Sequence, residues 1–256
     1  MTPHPIRSHL LKQFRLYTTP FLAQSRTGDG TLYKVYHTLR VAHFALNIAR
    51  RAQLPDDLVE DAFCAAMAHD LGRFIQIRQS GSFRDEGGFD HGAEGRHLLE
   101  EYPGFLPSLS TRRREEIHQA VYWHNKPALP SEGLNERARL LCGILRDADK
   151  MDILRAMDRF YQFRILPPRH LELGLPEDPV PSPDVRTRFR EGQPVAYRQL
   201  QTAGDFRLLQ IGWKQDLHLP QSAHLPSWPD HIRFRLSMLE GLSPEETRMI
   251  LNLAKR

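Results

Sequence analysis

An adjacent histidine and aspartate, His69 and Asp70, are the first residues of this sequence that suggest chemistry. They follow a run of small apolar residues, 65–68, and precede Gly72. Neighbouring side chains on a helix point about 100° apart, so both can face one point only from a helix end that packs against other helices. An imidazole and a carboxylate that meet at one point suit a divalent metal ion. Because such a dipeptide also occurs by chance, a metal site requires further ligands on inward-facing positions.

Helical periodicity supplies one candidate ligand before this pair and one after it. Residues three, four and seven positions apart share one face of a helix. His37 shares its face with Val41 and Ile48. His91 shares its face with Leu98. Both histidines are therefore predicted to point toward an interior.

Two more candidate ligands lie on later helices. His124 shares a face with Ile117 and Val121, and Asp149 shares a face with Leu145. Two buried carboxylates among four buried histidines are hard to satisfy without a cation, because a buried charge needs a partner. The residues predicted to meet in the interior are His37, His69, Asp70, His91, His124 and Asp149.

The order of four of these residues carries a family resemblance. His37 stands in HTLRV, His69 and Asp70 stand in AHDLGR, and Asp149 stands in DADKMD. Residues 31–160 thereby resemble the HD-domain superfamily of metal-dependent phosphohydrolases. The resemblance implies that His37, His69, Asp70 and Asp149 hold one divalent ion, which the donor set limits to Mn, Fe, Ni, Co, Mg or Zn.

Two further histidines resemble the extra ligands of HD proteins that have a binuclear centre. These are His91 in DHGAEG and His124 in AVYWHN, a single histidine where some subfamilies have a pair. The resemblance therefore leaves one or two ions open. The cyclic-dinucleotide branch carries a Gly-Tyr-Pro motif beyond this point, where this chain reads NKPALP, so that branch is not expected.

The expected activity is hydrolysis of a phosphate ester, nucleotide-like, by a metal-activated water. Asp70 is the candidate for orienting that water or taking its proton. Arg73 and Lys150 adjoin the ligand motifs and are either clamps for phosphate oxygens or surface charges. Glu94 could support His91 from one turn away.

Two other functions fit the same ligands. A di-iron oxygenase of the HD type would use all six residues for oxidative carbon cleavage. A regulatory module would use the metal only to hold helices together, without turnover.

The fold class predicted from these patterns is all-α: an HD-domain helical bundle with a C-terminal, mostly helical extension. We expect an N-terminal helical segment at 1–30, the HD metal-binding domain at 31–165, and a Pro-rich loop with a C-terminal extension packed on the core at 166–256. Prolines from 167 to 194 predict a loop or ordered wrap. The stretch 208–213 predicts a short strand or a buried helix.

One helix of the bundle has predicted ends. Asp57 and Glu60 form a predicted capping box, and the helix is expected to reach Leu71 and to stop at Gly72. The last helix of the bundle is expected to run from about 135 to 163.

Composition limits the remaining possibilities. The chain has 256 residues, 40% hydrophobic and 26% charged, which suits a globular protein with a full core. It lacks an apolar signal segment and any apolar run of the roughly 18 residues that cross a bilayer, so we expect a cytoplasmic protein. Cys64 and Cys142 are predicted to be buried thiols.

The charge pattern bears on partners. The net charge is +4, but the arginine runs at 112–114 and 186–190 are short and are interpreted as solvated surface. The expected partner is a small phosphorylated substrate, with no membrane and no specific nucleic acid. A homodimer is left open.

Overall fold

The structure is a computed structural model that describes residues 4–26, 30–85, 88–162, 173–223 and 228–255. No β-strand occurs in these ranges, and the predicted all-α fold is confirmed. The chain divides into two compact units, 1–152 and 153–256. The predicted domain bounds at 30 and 165 stay predictions, since 163–172 lie outside the described residues.

In the described residues, the first unit contains six helices and the greater part of a seventh. They are α1 (Pro5–Gln24), α2 (Thr31–Arg51), α3 (Asp56–Ala68), α4 (Leu71–Ser80), α5 (His91–Glu101), α6 (Thr111–Trp123) and α7 (Glu136–Gln162), which continues into the second unit. Helix α3 lies against α1, α2 and α6. All its residues from Leu58 to Ala68 are buried, because its alanines let the neighbouring helices approach closely.

The ends of α3 differ from the prediction. The helix is preceded by Pro55 without a side-chain cap, so the capping box predicted at Asp57 is wrong. The helix also ends before His69, and Gly72 lies inside α4. A Cβ atom on Gly72 would lie 2.5 Å from the carbonyl oxygen of His91. Glycine is therefore required there for close packing of α4 on α5, and not as a helix stop.

A buried charge network joins three helices of this unit. Asp61 on α3 is 0% exposed and accepts hydrogen bonds from Arg113 on α6 and Arg137 on α7. Arg137 also bonds Glu116, which is 1% exposed. The interpretation of the run 112–114 as solvated surface is therefore wrong for Arg113.

The second unit has its own hydrophobic core. It is built from α8 (Pro183–Arg190), a 3-10 helix (Tyr197–Gln199), α9 (Ala203–Gly212), α10 (Pro220–Ala223), α11 (Trp228–Leu236) and α12 (Pro244–Leu253). Buried Val185, Phe189, Phe206, Ile211 and Ile232 belong to this core.

Two local predictions are resolved in the second unit. The alternative of strand or buried helix at 208–213 is decided in favour of the helix α9. The expectation of a loop from 167 to 194 is wrong for 183–190, since α8 places Val185 and Phe189 in the core. Residues 167 and 168 lie outside the described part of the chain.

Two helix starts are stabilised by side-chain hydrogen bonds. Asp90 accepts from the backbone of Gly92 and Ala93, and Ser243 forms a capping box with Glu246. Both cysteines are buried free thiols, as predicted. Within the described residues, none of the helices has the length and apolar character to cross a membrane.

Candidate metal centre

The six predicted ligands lie at helix ends or on helix faces that point inward. His37 lies on α2 and Asp149 on α7. His69 directly follows α3, and Asp70 precedes the first residue of α4. His91 is the first residue of α5, and His124 directly follows α6. Side chains at helix termini can turn inward without breaking intrahelical hydrogen bonds.

One group of ligand atoms surrounds His37, and we name His37, His69 and Asp149 the His37 half. The Nε2 atom of His37 lies 3.0 Å from Asp149 Oδ1 and 3.4 Å from His69 Nε2. It also lies 3.3 Å from Asp70 Oδ2. His69 Nε2 lies 3.4 Å from the same oxygen of Asp70 and 3.9 Å from Asp149 Oδ1.

The second group, His91 and His124, is named the His91 half. The two Nε2 atoms lie 3.1 Å apart, and His91 Nε2 lies 3.8 Å from Asp70 Oδ1. Asp70 therefore stands between the halves. The geometry suits a metal ion in each of two sets that share Asp70, namely His37, His69 and Asp70, and Asp70, His91 and His124.

All four histidines use Nδ1 for a hydrogen bond that leads away from the centre. Nδ1 of His69 donates to the carbonyl of Ala66 at 2.7 Å, and Nδ1 of His124 to that of Val121 at 2.6 Å. A carbonyl can only accept, so these two nitrogens carry the proton and leave Nε2 as a lone pair.

The other two histidines bond carboxylates. Nδ1 of His37 bonds Asp152 Oδ2, and Nδ1 of His91 bonds Asp85 Oδ2, both at 2.7 Å. A second bond of this kind is the usual way in which a metal-binding histidine is oriented. The four Nε2 atoms thus converge on Asp70.

The two halves differ in the charged groups that surround their ligand atoms. Burial and Lys34 act to lower the pKa of His37, but hydrogen bonds to Asp149, Asp152 and Asp70 raise it to about 10. Burial also opposes ionisation of Asp70, yet Lys34 and the neighbouring histidines hold its pKa well below the usual range. The carboxylates of Asp70, Asp149 and Asp152 thus favour positive charge in the His37 half, and a bound metal cation would take the place of the proton on His37 Nε2.

In the His91 half, burial is the leading cause of lowered pKa values. It lowers the pKa of His124 well below the ordinary value, with His91 and His69 adding to the effect. The pKa of His91 is lowered by burial and by Arg73, against the opposing effect of Asp85. Two neutral imidazoles then present lone pairs to each other 3.1 Å apart, an arrangement that a cation between them would satisfy. The donor set therefore fits divalent metal ions in both halves.

The centre is deeply buried, and Asp149 is its most exposed ligand. The Asp149 side chain is 20% exposed, compared with 0% for His37 and 3% for Asp70 and His91. Among these ligand residues, solvent therefore contacts Asp149 most.

The two predicted phosphate clamps are both buried, at 8% exposure each for Arg73 and Lys150. Arg73 Nη1 donates to Gln76, to the carbonyl of Phe83 and to Asp85. Its Nε atom is buried without a hydrogen-bond partner, 3.7 Å from Asp70 Oδ1. Nη1 of Arg73 thus holds the following loop, and Nε lies near Asp70.

Sequence reasoning missed Lys34 and Arg40. Lys34 Nζ lies 2.6 Å from Asp70 Oδ2, and Arg40 donates to Asp152 through Nε at 2.6 Å and Nη2 at 2.9 Å. Both stand three residues from His37, and the helical periodicity that placed His37 could have found them. Asp85 was also missed, and it lies in a loop where periodicity gives no signal.

The chain is similar in sequence to a known domain family and to several named proteins. The sequence model of the HD-domain family matches residues 35–156. Deoxyguanosinetriphosphate triphosphohydrolase-like proteins are 35% identical over 137 residues in Rhodopseudomonas palustris and 30% identical over 158 residues in Syntrophus aciditrophicus. These alignments cover 50% and 56% of this chain but 32% and 38% of the relatives, so the chain spans about a third of their length.

A third relative of the same name, from Azorhizobium caulinodans, is 37% identical over 115 residues, which is 41% of this chain and 27% of the relative. None of the solved structures shows a significant match.

Proposed function

Residues 35–156 belong to the HD-domain superfamily, and on that premise we propose that the protein is a metal-dependent phosphohydrolase that cleaves the phosphate ester of a nucleotide. The observation that carries the proposal is the position of Asp70 between two groups of buried ligand atoms, with ring nitrogens of four histidines around it.

The residues that would hold the ions are assigned as follows. A first ion would be held by His37, His69, Asp70 and Asp149, and a second by Asp70, His91 and His124. A divalent ion bound there would polarise a phosphoryl oxygen and lower the pKa of a bound water. Imidazole and carboxylate donors leave Mn, Fe, Ni, Co, Mg and Zn open.

The chain's own residues would orient the substrate and the water. Asp70, a carboxylate at neutral pH, would accept a hydrogen bond from the attacking water. Lys34 is the strongest candidate for a phosphate contact, since its ammonium lies 2.6 Å from Asp70 and its side chain is 11% exposed. Arg73 would contribute through Nε, and Lys150 through its position next to Asp149.

The substrate class is proposed from the relatives together with this charge pattern. All three relatives are named triphosphohydrolase-like proteins for a deoxynucleoside triphosphate. The net charge of +4 favours approach of such an anion. We therefore place deoxynucleoside triphosphates first among candidate substrates. The cytoplasmic location stays a prediction.

The test is a phosphatase screen on protein loaded with each candidate metal, using deoxynucleoside and nucleoside triphosphates, monophosphates and a simple aryl phosphate. His37→Ala should abolish turnover, whereas His43→Ala should not. His43 is an exposed histidine on the same helix, and its Nε2 bonds Asn47, so it is the matched control.

The same assay run without oxygen separates the alternatives. Retained turnover under anaerobic conditions excludes the oxygenase. No turnover of any phosphate by folded, metal-loaded protein would contradict the proposal and favour a non-catalytic module.

A further inference from the structure

Asp85, in the loop between α4 and α5, uses both carboxylate oxygens as hydrogen-bond acceptors. Oδ2 accepts from His91 Nδ1 at 2.7 Å. Oδ1 accepts from Arg73 Nη1 at 3.0 Å and from Gln76 Nε2 at 2.8 Å. Oδ2 therefore bonds a histidine of the His91 half, and Oδ1 bonds the loop to side chains of α4.

The loop that carries Asp85 is fastened at several further points. Arg73 Nη1 donates to the carbonyl of Phe83, and Gln76 Nε2 donates to the carbonyl of Arg84 at 3.0 Å. Phe83 is 3% exposed, and its ring centroid lies 6.0 Å from the Arg73 guanidinium carbon. The segment 82–85 is thus docked on α4, which gives the Asp85 carboxylate a fixed position.

The His37 half contains an equivalent arrangement. Asp152 accepts from His37 Nδ1 at 2.7 Å and is paired with Arg40 through both oxygens. In each half, one histidine is oriented by a backbone carbonyl and the other by a carboxylate that is itself paired with an arginine. A histidine that donates from Nδ1 presents an unprotonated Nε2 to a cation.

We propose that Asp85 is a positioning residue for a divalent cation in the His91 half. It fixes the proton of His91 on Nδ1 and thereby makes occupancy of this half depend on the docked segment 82–85. The inference rests on the metal-dependent function proposed above, and it identifies the residue that controls binding of the second ion, the one in the His91 half.

Asparagine cannot replace Asp85, because its amide has one acceptor oxygen where the carboxylate has two. If the oxygen faces His91, the amide NH₂ meets the donors of Arg73 and Gln76. If the NH₂ faces His91, the proton of the ring is forced onto Nε2, which then cannot bind a cation. Both orientations weaken the His91 half, and loss of such a supporting partner typically lowers metal affinity by about 10–100-fold.

The experiment is Mn²⁺ titration of the chelator-treated 256-residue chain by calorimetry, with wild type, Asp85→Asn and the matched variant Asp152→Asn. Wild type should bind two ions. Asp85→Asn should weaken one ion by about 10–100-fold and leave the other unchanged, and Asp152→Asn should weaken the other. Asp85→Glu should recover part of the loss. The ¹⁵N spectrum of His91 should show Nδ1–H in wild type and a shift toward Nε2–H in Asp85→Asn.

Each other result overturns the inference in a distinguishable way. One ion in wild type, or two unchanged ions in Asp85→Asn, contradicts the role of Asp85 and leaves the hydrolase proposal standing. No ion in wild type contradicts both. If Asp85→Asn does not fold, Gln76→Leu removes one donor to Asp85 without changing a charge. It should weaken the same ion by a smaller factor, and unchanged affinity would overturn the inference.

Discussion

The rings of His69 and His124 stand edge to face, with centroids 5.2 Å apart and an angle of 88° between their planes. Each residue directly follows a helix and donates Nδ1–H to the carbonyl three residues earlier. The last carbonyls of a helix have no intrahelical donor, so they are available for this bond. The same hydrogen bond to a backbone carbonyl thus sets the ring orientation and the tautomer of one histidine in each half.

Lys34→Met should lower kcat/KM for a phosphate substrate by about 10²-fold, the usual cost of removing one donor from a developing negative charge. The reason is the ammonium 2.6 Å from Asp70. Steady-state kinetics on metal-loaded protein measures the effect, and Lys12→Met, at an exposed position on α1, is the control. Equal activity of Lys34→Met and wild type would remove Lys34 from the site.

Gly72→Ala should destabilise the first unit by about 1–3 kcal/mol, because overpacking forces α4 and α5 apart. The added Cβ would meet the His91 carbonyl at 2.5 Å and Glu94 Cβ at 3.0 Å. Thermal melts give the stability, and Mn²⁺ titration should show weaker binding in the His91 half. Gly104→Ala is the control, since a Cβ there meets nothing within 4 Å. Similar melts for both variants would contradict the close packing.

Asp61→Ala should cost about 3–5 kcal/mol, because it leaves two guanidinium groups without their buried partner. Asp61 is 0% exposed and bonds Arg113 and Arg137. Arg112→Ala should cost less than about 1 kcal/mol, since the Arg112 side chain is 72% exposed. Chemical denaturation distinguishes the two, and equal losses would show that burial does not decide the strength of these pairs.

Glu246→Gln should lower the stability of the second unit at neutral pH but not in strong acid. Hydrogen bonds from Arg186 hold the pKa of Glu246 at about 2, below its ordinary value of 4.5, against the opposing effect of burial. A lowered pKa in the folded state contributes stability above pH 4.5, and the contribution is lost as the pH falls through about 2. The difference in melting temperature between wild type and variant should follow this course, and a constant difference would contradict it.

The sequence predicted which candidate ligands lie close together, but it did not predict the residues that hold them in position. His37 and Asp149 were placed by helical periodicity, which depends only on spacing within each helix. The role of Gly72 could not be read locally, because it depends on α5 passing close to α4. Asp85 lies in a loop whose position is decided by hydrogen bonds to Arg73 and Gln76.

The second unit shows the same limit. Prolines between 167 and 194 indicate irregular backbone, yet α8 forms from Pro183 because proline is favoured in the first turn of a helix. Apolar Val185 and Phe189 then bury one face of it. The four-residue spacing of Val185 and Phe189 is typical of a helix, but the many prolines nearby favoured the prediction of a loop.

The most direct test of the account is the metal content of wild type and of Asp70→Ala, purified without chelator and measured by elemental analysis beside a circular dichroism spectrum. Asp70 belongs to both groups of ligand atoms. We expect bound divalent metal in the wild-type chain and its loss from folded Asp70→Ala. A wild-type protein that holds no ion even after reconstitution, or an Asp70→Ala variant with unchanged metal content, would contradict the central claim.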